Sequence, residues 1–271
     1  MFMSSEAIEV KVTGSAGTIV LNRPDYGNAL TRAMVRQFEE ALDDLYLERR
    51  VRAIIVTGAG AEFCRGMDLA EIHSTANEAD ALQRWGEAAA ELRGLLLRML
   101  EITKPIIAAV NGSCLGIGTA VLAAADVVVA ADQATVGLPE TRQGMVAGLT
   151  LPLVAFRVGA GQAARLSLTG HPIEAAEAQR IGLVHELIAT DRVWARAVEL
   201  AEHCGCGSPE AVQLTKRLVN ETLGEVLATH LSSGAVMAAT ALSTPTAREG
   251  IAAMLDGRTP NWDHPAADDE L

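Results

Sequence analysis

Twice in its first half the chain runs from a short, unbroken apolar segment into a glycine-bearing turn and on toward a helix. The first passage is Ala53-Ile54-Ile55-Val56-Thr57, ending in Gly58 and followed by a loop through Gly66; the second is residues 106–110 followed by Asn111-Gly112-Ser113-Cys114-Leu115-Gly116-Ile117-Gly118. Apolar runs without polar alternation suit strands covered on both faces. Residues 127–131 read as a further strand after a helix through Ala125. Strand, turn, helix and strand repeated in this way predict an α/β fold, a twisted sheet with helices packed on it.

The rest of the chain fits around that frame. Residues 8–12 and 18–21 alternate apolar and polar positions about Gly14-Ser15-Ala16-Gly17, as a hairpin with one wet face does. Met34, Phe38, Ala41, Leu42 and Leu45 recur at helical spacing behind Thr31, a suitable N-cap. A long helix is expected over 79–102, stopped by Lys104-Pro105 because the residue before proline avoids helical backbone. Beyond Gly144 the pattern favours helix at 149–157, 161–168, 174–181, 192–203, 209–223 and 225–242, with only 184–188 looking extended. The shift near Ser208-Pro209 divides the chain into a core, 1–207, and a C-terminal helical region, 208–271, whose Leu and Met stripes fold back on the body or cover a neighbouring subunit. The acidic stretch from Asp263 is expected to fray.

Composition removes several classes of function. The 271 residues carry 34 acidic against 22 basic side chains, a formal charge of −12, and only 3% aromatics, so phosphate backbones are repelled and bases find few stacking platforms. No nucleic-acid partner is expected. The apolar stretch 105–131 is interrupted by Asn111, Asp126 and three glycines and reads as buried elements, so no membrane partner is expected either. The opening residues lack a basic and apolar leader, which makes a cytoplasmic location the expectation. Cys64, Cys114, Cys204 and Cys206 are then reduced thiols. His203-Cys204-Gly205-Cys206 supplies three ligands where zinc takes four, and no metal site is expected.

The chemistry-bearing features are the two turns, Glu62-Phe63-Cys64-Arg65-Gly66-Met67-Asp68-Leu69 and 111–118. Each should open a helix, where unpaired N–H groups and the helix dipole favour a negative oxygen. Two such donors meeting at one point would form an oxyanion hole. The same glycines would also serve close packing of helix on strand. The dinucleotide fingerprint is incomplete, since Val121 stands where its last glycine belongs, and a Rossmann dehydrogenase is disfavoured.

Leu21-Asn22-Arg23-Pro24 with Asn28-Ala29-Leu30, Ile55-Val56-Thr57-Gly58 with residues 63–69, and Lys104-Pro105 with Ala108-Ala109-Val110-Asn111-Gly112 resemble, in order and spacing, the enoyl-CoA hydratase/isomerase (crotonase) family. Leu168-Thr169-Gly170, residues 175–178, Gly182-Leu183-Val184 and Arg248-Glu249-Gly250 with 258–262 carry the resemblance over almost the whole chain. It implies a crotonase-like spiral of ββα turns and an acyl-CoA or acyl-carrier-protein thioester as substrate, with no separate cofactor. It further implies a homotrimer or dimer of trimers, a place in lipid or polyketide metabolism, and an enolate held by two backbone amides. Carried onto this chain, the amides are those of Met67 and Ile117.

The resemblance also places two glutamates in the hydratases of the family. Here the first position is Ala120 and the second is Glu140, in Leu138-Pro139-Glu140. One carboxylate can lift a proton from one carbon and return it to another, whereas hydration wants a second acid. Double-bond isomerisation by Glu140 is therefore the leading expectation. Hydration or dehydration of an enoyl or hydroxyacyl thioester is the alternative, carrier-bound and polyketide-type if the likeness of Phe63-Cys64-Arg65-Gly66-Met67-Asp68 to such dehydratases holds; a non-catalytic thioester-binding protein is the third. Gly148 stands where related dehalogenases use an aspartate, which argues against dehalogenation. Around the substrate the expectation places Arg23, Cys64, Arg65, Gly66, Asp68, Leu69, Gly116, Ala120, Pro139 and Gly148, with Arg23 and Arg65 standing in for a lysine the family often has near Ala70. Asp68 also reads as a helix cap, Pro139-Glu140 as a helix start, and Ile117, in place of the glycine usual in the family, is expected to narrow the pocket or reorient the amide.

Overall fold

The computed structural model describes residues 7–221 and 224–262. The first six residues, the end of the expected 209–223 helix and the acidic stretch from Asp263 lie outside the described residues. In chain order the elements are β1 (Ile8–Thr13), β2 (Ala16–Leu21), α1 (Arg32–Leu47), β3 (Ala53–Gly58), α2 (Leu69–Ser74), α3 (Ala81–Glu101), β4 (Ile106–Val110), β5 (Cys114–Leu115), α4 (Ile117–Ala124), β6 (Val127–Ala131) and β7 (Thr135–Gly137). Then follow α5 (Thr150–Thr169), β8 (Ile173–Glu174), α6 (Ala175–Arg180), β9 (Glu186–Ile188), α7 (Val193–Gly205), α8 (Pro209–Glu221), α9 (Gly224–Leu242) and α10 (Pro245–Leu255).

The main sheet has the order β1-β2-β3-β4-β6-β9, and a second sheet of three short strands has the order β5-β7-β8. β1 and β2 form the antiparallel hairpin, and every other pair in the main sheet is parallel. The two apolar runs are its centre: β3 from Ala53 to Thr57 and all of β4 are buried. β2 differs from expectation. Only β1 keeps a wet face, while β2 is buried almost throughout, because α1 and α7 both pack on it.

Helix α1 begins where Thr31 accepts a hydrogen bond from the Met34 N–H at 3.2 Å, and its stripe Met34, Phe38, Ala41, Leu42 and Leu45 is buried. The two helices expected at 149–157 and 161–168 form one element, α5, bent at Gly159 with φ 79°. β5, β7 and β8 are too short to carry a periodic signal, and β8 lies in a stretch that reads as helical. α10 also emerges only in the structure, started by the Thr244 cap and Pro245.

The C-terminal helices fold back on the body. The Lys216 ammonium on α8 is buried against the Asp126 carboxylate at 2.7 Å and donates to the carbonyls of Met99 and Lys104. α9 packs along α3. Leu214, Leu218 and Val219 of α8 and Val226 of α9 remain exposed. Among the described residues no single helix is long and apolar enough to cross a membrane.

Candidate active site

The two glycine turns are stapled to each other by backbone and asparagine amides. Asn28, held at φ 54°, donates from Nδ2 to the carbonyls of Ala59 and Glu62 and accepts the Arg23 N–H at Oδ1. Asn111 accepts the Gly58 N–H and donates to Gly60 O. Further on, Cys64 and Cys114 form a parallel bridge: Cys64 N–H donates to Ser113 O at 3.1 Å and Leu115 N–H to Cys64 O at 2.9 Å.

Those constraints bring the turn before Met67 against the turn before Ile117. Leu30 bridges Met67 by donating to Gly66 O and accepting from the Asp68 N–H, so the Met67 N–H faces the side away from Leu30. Ile117 is the first residue of α4, and its N–H belongs to the first helical turn, which has no partner within the helix. The turns meet through glycine. A Cβ on Gly66 would lie 3.8 Å from the Ile117 nitrogen, and one on Gly118 would lie 2.5 Å from Cys64 O. At Gly118 no side chain fits between the two strands of backbone.

Glu140 arrives from the second sheet. It sits in a 3₁₀ turn, Pro139–Gln143, directly after β7, and β7 pairs with β5 so that the carboxylate reaches the β5–α4 turn. Glu140 Oε1 lies 3.4 Å from the place a Gly116 Cβ would occupy, and the Thr150 hydroxyl stands 3.5 Å from that oxygen and 3.3 Å from Gly116 O. Glu140 Oε2 is buried with no hydrogen-bond partner. Burial raises the carboxyl pKa to about 7, against a weaker opposing pull from backbone and Thr150 hydrogen bonds. A buried, half-satisfied carboxylate costs stability, and such groups concentrate where proteins perform chemistry.

A cavity opens at this point. Of the residues singled out from the sequence, Arg65, Gly66, Met67, Leu69, Gly116, Ile117, Pro139, Glu140 and Gly148 line it, and Glu140 is the only carboxylate among the described lining residues. Arg65 is largely exposed and paired with Glu62 at 3.0 Å. Four expected residues do not line the cavity. Arg23 is turned into the protein, donating to Asp68 Oδ2 at 2.9 Å and Ala29 O at 2.7 Å while stacking on Tyr26. Asp68 caps α2 by accepting the Glu71 N–H at 3.0 Å. Cys64 is fully buried beneath the turn, its thiol pushed up to about 12 by burial and thus neutral. Ala120 is fully buried in α4.

The far wall of the cavity is absent from the sequence expectation. It comes from one face of α3, with Trp85, Ala88, Ala89 and Leu92, and from Ala238, Ala239 and Leu242 of α9. Trp85 is fixed there by its indole N–H, which donates to Thr75 at 3.1 Å. The spacing on α3 was the available signal, and it is the same spacing that a core stripe has. Among the described residues no group of three or more His, Cys, Asp or Glu side chains is arranged to hold a metal ion.

Known proteins share this fold over nearly the whole chain. Residues 12–265 match the enoyl-CoA hydratase/isomerase family. A probable enoyl-CoA hydratase of Rhizobium meliloti is 33% identical over 97% of this chain and 100% of its own length. The mevalonyl-coenzyme A hydratase of Aspergillus fumigatus is 34% identical over 90% of each chain. The crystal structure of an enoyl-CoA hydratase/isomerase from Xanthobacter autotrophicus superposes with a TM-score of 0.85 at 29% identity, covering 94% of this chain and 95% of that one. With the sequence matched over residues 12–265 and the fold over 94% of its length, this chain belongs to the enoyl-CoA hydratase/isomerase family of acyl-CoA enzymes and has the crotonase fold.

Proposed function

We propose that the protein shifts the carbon–carbon double bond of an enoyl-CoA, with the Met67 and Ile117 amides holding the thioester oxygen and Glu140 moving the proton. The observation that carries this reading is the solitary carboxylate: Glu140 Oε2 is buried and unpartnered, and Glu140 is the only acid lining the cavity among the described residues. In a 3-enoyl thioester the ionised carboxylate takes a proton from C2, and the electron pair moves onto the thioester oxygen as a dienolate. Donors fixed at that oxygen stabilise the charge as it forms. The same carboxyl then returns the proton to C4, leaving the double bond between C2 and C3.

Hydration is the second reading, favoured by the names of the relatives. It needs a group to place water opposite Glu140, and the position that would bear a second acid is the buried Ala120. The two reactions separate in ¹⁸O water. Isomerisation converts 3-enoyl-CoA to 2-enoyl-CoA without label, whereas hydration yields a labelled hydroxyacyl product. Labelled product as the main outcome would overturn the isomerase assignment. Acyl-CoA binding without either product or exchange at C2 would point to a non-catalytic protein.

Arg23 is assigned a structural part in this scheme. Arg23→Met removes the charged hydrogen bond to Asp68, and chemical denaturation is expected to register a loss of about 2 kcal/mol. Acyl-CoA affinity by calorimetry is expected to stay within about twofold of wild type, a difference of roughly 0.4 kcal/mol.

A further inference from the structure

The motif Arg248-Glu249-Gly250 with Arg258 lies outside the cavity lining, and the chemistry above does not use it. We infer that α10 is the seat on which the Glu140 turn rests, with Gly250 and the Glu249–Arg258 pair acting as positioning residues for that carboxylate. The inference rests on the Proposed function only in giving Glu140 a reaction to perform.

Three backbone contacts carry it. A Cβ added to Gly250 would lie 2.3 Å from Gln143 O, 2.4 Å from Gln143 C and 2.9 Å from Gly144 N, so the end of the 3₁₀ turn lies directly on the helix backbone. From the other side, a Cβ on Gly144 would lie 2.3 Å from Thr246 O and 2.8 Å from Ala247 Cα, in the first turn of α10. Gly144 itself has φ 69° and closes the turn by donating to Glu140 O. Four residues on, Gly148 meets Gly234 of α9, where a Cβ on either would come within 2.0 Å of the other's carbonyl oxygen. The segment that follows Glu140 is thus held at both ends by backbone contacts that exclude any side chain.

The seat is in turn fixed. Glu249 is buried, and its carboxylate accepts two hydrogen bonds from the Arg258 guanidinium, at 2.6 and 2.9 Å, and one from the Asn261 N–H at 2.8 Å. These hold the carboxyl down at about 2, so it stays ionised at every working pH. A bidentate pair of this kind sets the angle of the helix end as well as its distance. The other charged groups around the Glu140 turn are Arg65 at the cavity, Arg142 with its partner His171 outside it, and Arg248 on α10.

The test compares Gly250→Ala and Arg258→Gln with wild type, using turnover of 3-enoyl-CoA and the ¹³C NMR titration of the Glu140 carboxyl, its signal assigned by Glu140→Gln. Gly250→Ala is expected to lower kcat on the order of 10- to 100-fold, as small misplacements of catalytic groups do. KM is expected to hold within about twofold, since ground-state binding is untouched. The Glu140 midpoint is expected to fall toward the ordinary carboxylate value as the turn lifts and water enters. Arg258→Gln adds no bulk and is expected to move both readouts in the same direction by less; it decides the matter alone if Gly250→Ala does not fold. Folded variants with an unmoved Glu140 midpoint would overturn the inference, even with kcat reduced. Full turnover by Glu140→Gln would instead sink the isomerase reading and leave the titration result standing.

Discussion

Glu140→Gln is expected to lower double-bond isomerisation and the exchange of C2 protons with solvent by about a thousandfold, the middle of the range for a positioned general base. Glutamine matches glutamate in size and can still meet the Thr150 hydroxyl, so cavity shape and acyl-CoA binding should persist. What disappears is the ionisable group. With its carboxyl titrating at about 7, wild-type kcat is expected to climb through neutral pH, because only the ionised form accepts the proton. Stability provides an independent check with the opposite sign. Because the folded-state value is raised from 4.5 to about 7, the native state holds the proton across this window while the unfolded chain has released it. Native stability therefore declines as pH rises over that interval. Glu140→Gln removes the liability: melting should show the variant more stable than wild type above pH 7, by about 3 kcal/mol. Below about pH 4 the two proteins should match, since the carboxyl is then protonated whether folded or not. Undiminished exchange in the variant would remove Glu140 from the mechanism, and a stability difference constant with pH would contradict its burial as an ionisable group.

How far the sequence discloses such a site depends on whether the signal is local. The stapled turns were legible because glycine, asparagine and β-branched residues each have a conformational reason to stand where they do. Thr31 was legible because a cap acts over three residues. The far wall was not: Trp85, Ala88, Ala89 and Leu92 have the period of any buried helix face, and only tertiary packing turns that face toward a cavity. Asp68 is legible as a helix cap as well as a substrate contact, whereas its pairing with Arg23 across 45 positions is visible only in the fold. α10 carries no hydrophobic stripe in the sequence because Ile251 is the one large apolar residue on its buried side, the others being Glu249 and the small residues Ala247, Gly250 and Ala253. Their smallness became meaningful only when the backbone they accommodate was known to be the turn beyond Glu140.

Gly118→Ala is the second large effect expected, and it tests the oxyanion hole without touching either donor. Gly118 lies inside α4, where alanine on helix propensity alone would stabilise by about 1 kcal/mol. Any damage must therefore come from what the methyl group meets. It would stand 2.5 Å from Cys64 O and 2.9 Å from Cys64 Cβ. Cys64 cannot easily retreat, since its carbonyl accepts the Leu115 N–H and its own N–H donates to Ser113 O, two of the bonds that join the turns. Relief has to separate the strand leading to Met67 from the start of α4 at Ile117, which moves one amide off the thioester oxygen. Loss of one such donor elsewhere costs about 10²–10³ in kcat, and that is the fall expected here. Overpacking should add a stability cost of about 1–3 kcal/mol by chemical denaturation. The Glu140 carboxyl, held by the second sheet and α10, should titrate as in wild type, which distinguishes this lesion from displacement of the base. Gly86→Ala, in α3 with nothing within 4 Å of the added carbon, is the matched control and should keep full activity. A folded Gly118→Ala protein with wild-type kcat would show that the two amides do not act jointly, and the enolate would need another source of stabilisation.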